Sequence, residues 1–312
     1  MAAENTRQTV AAIIISYNPN PAVFTQLTAR IAAQVDHLVL VDNASSPPLR
    51  TTLAEQAAAR DALLLENTEN LGLATGQRQG IEAALNLGVA FILLLDQDSL
   101  PAPYMVARLL AAYYHLSQQG LRIAGVGPRA VSQSHLRAMP FVRFTLCAAI
   151  KGHCHGSDDL IRTDFLISSG LLTPAWVYTS VGLPEESLFI DNIDLEWCFR
   201  AQHLGFQLYG VCDAVLHHQI GEQTRFLSLF NHRWPIPIHE PVRQYYQTRN
   251  RIRLYGRHYV PWAWKIQDLP RVLFKLIYFG LVTPPRRKHL RMMWLAMWDA
   301  LRGVGGPFRH GH

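Results

Sequence analysis

Short apolar runs alternate with longer mixed segments over the first hundred residues. The runs predict strands at 10–16, 37–41, 63–66 and 91–95, and the segments between them predict helices at about 22–33, 48–60 and 77–87. Such alternation is typical of a parallel, doubly wound α/β sheet, in which the first hundred residues form a Rossmann-like nucleotide-binding half. The stretch 70–76 is predicted to be a loop.

The pattern is less regular after residue 100. It predicts helices at about 103–118 and 194–205, a strand at 123–127, and short strands at 207–211 and 215–217. Residues 132–159 are polar and irregular, and 165–173 is a mixed apolar segment. The tail contains two apolar segments broken by charges, 269–283 and 290–301. We predict a domain over 1–240 and a basic, aromatic helical tail over 241–312.

Charge is distributed unevenly along the 312 residues. The net charge is +6, but residues 242–312 contain 14 Lys and Arg against two acids. Neither apolar segment of the tail is an uninterrupted run long enough to span a membrane. Basic residues beside tryptophans fit helices that lie on an anionic membrane surface; packing on the domain or at a dimer contact is the alternative. Nucleic-acid binding is not expected, because no recognition motif accompanies the charge.

The four cysteines, Cys147, Cys154, Cys198 and Cys212, show neither a CxxC pair nor zinc-ligand spacing. We therefore expect ordinary thiols in a reducing compartment. Residues 1–9 lack the apolar core of a signal peptide, which favours a cytoplasmic location.

The strand at 91–95 ends abruptly in Asp96-Gln97-Asp98. Ligands of open α/β sheets collect at the carboxyl ends of strands, and alternate side chains of an extended segment share a side. Asp96 and Asp98 can therefore hold Mg²⁺ or Mn²⁺; a solvated turn is the alternative. Three loops at strand ends in the N-terminal half offer acceptors, an acid and backbone amides for a nucleotide: Ser16-Tyr17-Asn18, Asp42-Asn43 and Asn70-Leu71-Gly72.

A second group of acids, Asp191, Asp194 and Glu196, lies at the start of the helix predicted over 194–205. The helix dipole and capping explain one or two acids there. Three acids in six residues favour a further role, such as proton abstraction by a carboxylate.

The order of these motifs resembles that of the family 2 inverting glycosyltransferases with a GT-A fold, and is most similar to bacterial rhamnosyltransferases. The resemblance covers roughly residues 9–260 and rests on 13–18, 40–45, 70–74, 95–99, 169–170, 189–200, 217–221 and 243–250. The family's Glu-Asp-x-Asp/Glu motif falls on 193–196, where Ile193 replaces the Glu. The resemblance implies that Asp194 is the catalytic base, and the extra acid Asp191 is the alternative.

The resemblance also implies roles for further residues. Donor binding would involve Ser16, Tyr17, Asn18, Asp42, Asn43, Asn70, Gly72, Asp96, Gln97 and Arg249, and acceptor binding would involve Ser169, Gly170, Glu196 and Trp197. The metal would be held by Asp98 and Asp96, with His217 or His218 as a further ligand. A surface salt bridge for Arg249, a core position for Trp197 and a structural histidine pair are the alternatives.

The implied donor is dTDP-L-rhamnose, and the implied acceptor is a growing cell-surface polysaccharide or lipid-linked glycan at the inner face of the plasma membrane. Residues 1–100 would bind the nucleotide sugar and residues 101–240 the acceptor. A UDP-sugar donor, a nucleotidyltransferase and a non-catalytic sugar-nucleotide binder are alternatives. A nucleotidyltransferase should show a Gly-rich basic loop near the first strand, and 17–20 is neither Gly-rich nor basic. The oligomeric state stays open, a homo-oligomer included.

Overall fold

A computed structural model describes residues 8–132, 138–218, 224–229, 232–237 and 240–309. The strands are β1 (Val10–Ser16), β2 (His37–Asp42), β3 (Leu63–Glu66), β4 (Phe91–Asp96), β5 (Ser99–Pro101), β6 (Ile123–Ser132), β7 (Phe141–Phe144), β8 (Ala149–Gly152), β9 (Leu160–Thr163), β10 (Leu172–Pro174), β11 (Gln207–His218), β12 (Thr224–Leu229) and β13 (His232–Pro237). The helices are α1 (Pro21–Ala32), α2 (Pro47–Ala58), α3 (Leu73–Asn86), α4 (Met105–Gln118), α5 (Ala175–Val181), α6 (Ile193–His203), α7 (Pro241–Tyr255), α8 (Trp262–Leu281) and α9 (Arg286–Leu301).

The central sheet has the order β3-β2-β1-β4-β10-β6-β11-β5, with β9 on the side of β11. Strands β1 to β4 pair with one another in parallel, and so do β6 and β11. Strand β10 runs antiparallel between β4 and β6. The predicted mostly parallel, doubly wound sheet is confirmed.

Helices cover both faces of the sheet, which is why its central strands are apolar along their whole length. Phe24, Leu53 and Leu109 of α1, α2 and α4 are buried on one face, and Ile81 and Ala201 of α3 and α6 are buried on the other. Helix α3 lies very close to β1. A Cβ atom at Gly80 would stand 2.3 Å from the Ile13 side chain, so this approach requires glycine.

Three local predictions differ from the structure. Helix α3 begins at Leu73 inside the predicted loop, directly after Gly72, whose φ of +90° lets the chain turn into the helix. The stretch predicted as irregular contains the β7–β8 hairpin. The two short strands predicted at 207–217 form one strand, β11, whose register against β6 shifts between Val211 and Val215; this shift accounts for the interruption in the apolar pattern.

The expectation of four ordinary thiols is wrong for two cysteines. Cys154 and Cys212 form a disulfide, with their Cα atoms 5.6 Å apart, whereas Cys198 is buried and free and Cys147 is exposed and free. The two bonded residues lie 58 positions apart. Their approach depends on the chain after β8 packing against β11, which cysteine spacing does not reveal.

The predicted helical tail is present as α7, α8 and α9. Helix α7 packs against α9, which in turn contacts α8. The two acids of the tail, Asp268 and Asp299, are both buried. Within the described ranges, no helix combines the length and the apolar character needed to cross a bilayer.

Candidate active site

A cleft of about 720 Å³ opens at the carboxyl ends of β1, β2 and β4. Its walls come from four loops, the start of α6 and the start of α7. The lining residues are Ile15, Ser16, Tyr17, Asn43, Asn70, Gly72, Leu73, Asp96, Gln97, Asp98, Met139, Ile167, Ser168, Phe189, Ile190, Asp191, Asn192, Ile193, Asp194 and Arg243. Most of the lining belongs to two walls: the strand-end wall (15–17, 43, 70–73 and 96–98) and the acidic wall (189–194 with Arg243).

The loop after β1 is tied to the Asp96–Asp98 turn by a single side chain. Gln97 accepts a hydrogen bond from the Tyr17 backbone N–H at 2.7 Å and donates one to the Tyr17 carbonyl at 3.2 Å. The amide of Gln97 therefore links the chain that follows β4 to the chain that follows β1. The ring of Tyr17 is 48% exposed at the edge of the cleft, where it offers an aromatic face to a ligand.

Two asparagines order the neighbouring loop. The Asn43 amide donates to Asn70 Oδ1 at 3.1 Å, and its oxygen accepts from the Leu71 N–H at 2.9 Å. Asn70 Oδ1 also accepts from the Gly72 N–H at 3.0 Å. These bonds shape residues 70–72 before any ligand arrives.

The predicted acceptor residues Ser169 and Gly170 lie behind the Asp96–Asp98 turn and do not line the cleft. Ser169 Oγ accepts from the Asp96 N–H at 3.1 Å and donates to Ser99 Oγ at 2.7 Å. Gly170 lies against Pro128, where a Cβ atom would clash at 2.4 Å. Ser169 therefore supports the turn, Gly170 packs against β6, and the neighbouring Ser168 lines the cleft instead.

The acidic wall has an unusual backbone. Phe189, Asp191 and Asn192 have φ values of 64°, 66° and 64°, in the left-handed region that non-glycine residues rarely adopt. Such residues cost on the order of 1–3 kcal/mol each and persist only where the surroundings enforce them. They precede α6 directly, so the chain delivers Asp191 and Asp194 into the cleft through a strained segment.

The titration of Asp194 is displaced by its surroundings. Burial raises its pKa to about 6, a hydrogen bond from the Leu195 N–H opposes this, and the nearby carboxylates of Asp96 and Asp191 raise it further. The Leu195 bond is 2.8 Å long. A carboxyl group with this pKa is ionised at neutral pH and still basic enough to take a proton.

Asp191 is paired with Arg243, at the start of α7. Nε and Nη2 of Arg243 each lie 3.3 Å from an oxygen of Asp191. Arg243 also lines the cleft, and sequence reasoning did not assign it a role. Helical spacing could have indicated it, since Arg243, Tyr246 and Asn250 recur at intervals of three and four and share a helix face.

Two predicted acceptor residues belong to the interior. Glu196 is 1% exposed and bonds to Nε of Arg200 at 2.8 Å and to the hydroxyl of Tyr259 at 2.6 Å. Trp197 is buried and donates from Nε1 to the Gly182 carbonyl at 2.8 Å. Both residues anchor α6 because their positions on the helix turn them away from the cleft.

The predicted phosphate ligand Arg249 is also not in the cleft. Its side chain is fully buried, and its guanidinium donates to the carbonyls of Ser187, Leu188 and Gly306. Sequence alone could not distinguish it from a surface arginine, because α7 is polar at many positions.

The remaining predicted donor and metal residues are Asn18, Asp42, His217 and His218, and none of those whose side chains the structure describes belongs to the cleft lining. Asp42 is buried and accepts from the Ser45 N–H, and the Asn18 side chain accepts from the Ser46 N–H, so both brace the β2–α2 turn. His217 pairs through its backbone with Leu100 of β5 and is absent from the cleft lining. The side chain of His218 falls outside the described residues.

The chemistry of the lining fits a hard cation. Among the described residues that line the cleft, Asp96, Asp98, Asp191 and Asp194 are acidic and Arg243 is the basic one. Carboxylate oxygens are ligands that Mg²⁺ and Mn²⁺ prefer, and a diphosphate would be repelled by this excess of negative charge without a cation. In the described ranges no three His, Cys, Asp or Glu side chains form a ready metal site.

Comparison with known proteins relates part of the chain to a known family. Residues 11–134 match the model described as Glycosyl transferase family 2. The chain is 28% identical to "dTDP-rhamnosyl transferase RfbF" of Shigella flexneri over an alignment of 310 residues. The alignment covers 96% of this chain and 98% of that protein.

Solved structures show the same fold. GalNAc-T7 with UDP, GalNAc and Mn²⁺ matches with a TM-score of 0.58 and 12% identity over 95% of this chain, which spans 57% of that chain. S. aureus TarS 1–349 in complex with UDP-GlcNAc matches with a TM-score of 0.57 and 14% identity, covering 95% of this chain and 81% of that one. These matches confirm the predicted GT-A fold.

Proposed function

We propose that this chain is a family 2 glycosyltransferase that transfers L-rhamnose from dTDP-L-rhamnose to a hydroxyl of a cell-surface polysaccharide or lipid-linked glycan, with inversion. The proposed donor rests on the nearly full-length similarity to a dTDP-rhamnosyl transferase. The observation that carries the mechanism is the position of Asp194, with its raised pKa, in the same cleft as the Asp96–Asp98 turn.

Asp194 is the proposed base. It takes the proton of the acceptor hydroxyl as that oxygen forms a bond to the anomeric carbon. The bond from that carbon to the diphosphate oxygen breaks, and its electron pair leaves with the nucleoside diphosphate. Asp191, which forms an ion pair with Arg243, is the second candidate.

The strand-end wall is the proposed donor site. Tyr17, Asn43 and Asn70 provide an aromatic face and amides for the nucleoside, and the backbone at Gly72 provides close access for the diphosphate. Asn18 and Asp42 act indirectly in this proposal, because they hold the turn behind the wall. We propose that Arg243, rather than Arg249, is the arginine that faces the substrates.

Asp96 and Asp98 are the residues that would hold Mg²⁺ or Mn²⁺, with His218 as a predicted further ligand. When bound, the cation would neutralise the charge that develops on the leaving diphosphate. Asp96 lies near Asp194, whose pKa it raises, so the donor side and the base influence one another electrostatically.

The acceptor is proposed to enter between the acidic wall and the residues Met139, Ile167 and Ser168, which complete the cleft. The division into a donor part (1–100), an acceptor part (101–240) and a tail (241–312) stays a prediction. Arg243 shows that the tail also contributes to the cleft, because it belongs to residues 241–312 and lines the cleft.

The tail also provides a proposed membrane-binding surface, formed by the exposed apolar faces of α8 and α9. The exposed side chains recur at intervals of three and four residues, as expected for one face of each helix; they are Trp262, Ile266, Leu269, Leu273 and Ile277 on α8, and Leu290, Trp294, Trp298 and Leu301 on α9. Exposed basic residues accompany them at Arg271, Arg286, Arg287, Lys288, Arg291 and Arg302. With both acids of this segment buried, the surface complements an anionic bilayer.

Surface variants test this membrane proposal better than a truncation, because α9 packs on α7 and its removal would damage the fold. We expect Trp294→Ser combined with Trp298→Ser to weaken cosedimentation with vesicles containing phosphatidylglycerol. Trp176→Ser is the matched control, since this tryptophan of α5 is 48% exposed on another element. Equal vesicle binding by all three proteins would exclude the surface; self-association that the double variant abolishes would favour a dimer contact.

The donor proposal is tested by a thermal-shift titration with dTDP, UDP, GDP and dTDP-L-rhamnose, each with and without Mg²⁺ or Mn²⁺. A ligand that binds the native state raises the melting temperature by mass action. Metal-dependent stabilisation by dTDP and dTDP-L-rhamnose supports the proposal. Preference for UDP would replace the donor by a UDP-sugar, and no response to any nucleotide would contradict the assignment of the cleft.

The proposed location is the cytoplasmic face of the plasma membrane. The Cys154–Cys212 disulfide bears on it, because cytoplasmic reductants keep most protein thiols reduced. A thiol titration of protein denatured directly in a trapping reagent distinguishes the cases. Four reactive thiols support a reducing location, and two contradict it.

A further inference from the structure

We propose that Arg249 and Asn250 of α7 are positioning residues, which hold the strained segment 187–192 through its backbone carbonyls and thereby fix Asp194 in the cleft. The inference rests on the proposed role of Asp194 as base. It gives the Arg249-Asn250 pair a function different from the phosphate binding expected from the sequence.

Asn250 makes the most direct contacts with the segment. Its Nδ2 group lies 2.9 Å from the Leu188 carbonyl, 2.8 Å from that of Ile190 and 2.9 Å from that of Asp191. One side-chain amide thus joins three carbonyls on both sides of the left-handed residue Asp191. The amide is fully buried, so water cannot replace it.

Arg249 extends the same contact. Its Nη2 group lies 3.1 Å from the carbonyls of both Ser187 and Leu188, and its Nε donates to Asn250 Oδ1 at 3.1 Å. A buried guanidinium loses much hydration energy and must recover it from nearby acceptors. Here those acceptors are backbone carbonyls of the segment, which makes the position of the arginine and the shape of the segment interdependent.

Arg249 and Asn250 thus form a clamp on the segment 187–192. The chain after α9 completes this clamp. Gly306 accepts from Arg249 Nη1 at 2.7 Å and donates its N–H to the Ser187 carbonyl at 2.7 Å. The Phe308 N–H donates to the Tyr246 hydroxyl at 2.7 Å, and the Tyr246 ring stacks on Phe189. Residues 306–308 therefore touch both the clamp and the segment that it holds.

A positioning role can be distinguished from a role in folding alone. If the pair only positions Asp194, a weakened clamp should reduce turnover and leave donor binding unchanged. The side-chain hydrogen bonds of Arg249 and Asn250, apart from the one between them, go to the segment and to Gly306, so donor binding at the strand-end wall should survive when the clamp is weakened. The proton acceptor, by contrast, would be displaced relative to the donor, and small displacements reduce turnover strongly.

Asn250→Asp is the sharpest test, since it keeps the shape of the side chain and places a carboxylate oxygen against three carbonyl oxygens. We expect kcat to fall at least tenfold while the KM for the nucleotide-sugar donor changes less than twofold. Tyr255→Phe is the matched control. It removes one hydrogen bond of α7, to buried Asp268, without touching residues 187–192, and should leave kcat within twofold.

A second variant covers the case in which Asn250→Asp does not fold. Tyr246→Phe removes only the hydroxyl that accepts from Phe308, and we expect a two- to fivefold fall in kcat with unchanged donor KM. Unchanged kcat in both folded variants, or equal losses in kcat and in donor affinity, would overturn the proposal.

Asp194→Asn, measured in parallel, keeps this inference distinct from the assignment of the base. Normal turnover of Asp194→Asn would contradict the base, whereas a kcat loss in Asn250→Asp would still show that the clamp positions a catalytic group on this wall. Loss of turnover in Asp194→Asn with none in Asn250→Asp would contradict the clamp alone.

Discussion

The two walls of the cleft are built in different ways. The strand-end wall follows from three parallel strands that stop at one edge, and its side chains are tied to neighbouring loops by local amides such as Gln97 and Asn43. The acidic wall is a strained segment whose carbonyls are held by a helix about 60 residues later in the chain. In the proposed mechanism, donor binding therefore depends on regular sheet geometry, and the position of the base depends on long-range contacts.

This difference matters because the walls bring unlike chemistry together. A regular sheet edge is rigid and tolerates variation of its loop residues, which suits recognition. A strained segment places a carboxylate where an unstrained helix start would not, and it depends on its supports. The walls meet where the Ala74 N–H donates to the Phe189 carbonyl at 3.1 Å.

Loss of the base should have the largest effect. Asp194→Asn removes the proton acceptor from the acidic wall and leaves the strand-end wall intact, so we expect kcat to fall by about 10²- to 10⁴-fold with donor binding retained. Turnover assays and thermal shifts with dTDP measure the two quantities. Near-normal turnover would transfer the role to Asp191.

The same substitution should change stability in a pH-dependent way. The pKa of Asp194 in the folded protein is about 6, above the ordinary value of 3.8, so its ionisation destabilises the fold as the pH rises through 6. Asp194→Asn should therefore melt at a higher temperature than the parent above pH 6, and this advantage should shrink towards pH 4. A difference independent of pH would contradict the raised pKa.

Damage to the strand-end wall should show the opposite pattern. We expect Asp98→Asn to abolish the additional stabilisation that Mn²⁺ gives to the dTDP complex, and to reduce kcat/KM by roughly 10- to 10³-fold because the charge on the leaving group is less well compensated. Asp158→Asn, at an exposed acid remote from the cleft lining, is the control. Undiminished metal dependence would move the cation to other ligands.

The contact between the walls is tested by a pair of glycine variants. Gly72 and Gly88 both have positive φ, but a Cβ atom at Gly72 would lie 2.4 Å from the Phe189 ring and 2.7 Å from its carbonyl, whereas at Gly88 it meets nothing within 4 Å. Backbone strain of about 1 kcal/mol is common to both alanine variants.

We expect Gly72→Ala to lower the melting temperature more than Gly88→Ala and to be the variant that also loses activity. Thermal melts and turnover assays on the two proteins measure this. Equal effects would mean that the two walls do not depend on this contact.

The smallest effect concerns electrostatics within the acidic wall. The base must be ionised, so kcat/KM should fall as the pH drops below about 6. Asp191→Asn removes one of the carboxylates that raise the pKa of Asp194, and we expect this acid limb to move to lower pH by less than about one unit. A limb that does not move would show that Asp191 is electrostatically uncoupled from the base.

Much of the fold could be predicted from the chain, for a local reason. Strand β1 matches its predicted bounds and β4 differs by one residue, because strands buried on both faces are apolar along their whole length. The β7–β8 hairpin and the Cys154–Cys212 disulfide were missed, because each depends on what the segment packs against.

The candidate site divides in the same way. Tyr17, Asn43, Asn70 and the Asp96–Asp98 turn could be assigned to one cleft, since the ends of parallel strands must converge. Glu196, Trp197 and Arg249 were assigned to substrates and belong to the interior, while Arg243 was passed over. Composition cannot show which face of a helix is covered.

The sequence by itself determined the alternation of strands and helices, the family resemblance, and the acids available for catalysis. Those properties follow from local patterns and from residue order. The tertiary structure alone decided which acid has a raised pKa, which arginine faces the cleft, and how α7 and residues 306–308 hold the segment before Asp194. Burial, charge proximity and backbone strain arise only when segments distant in the chain come into contact.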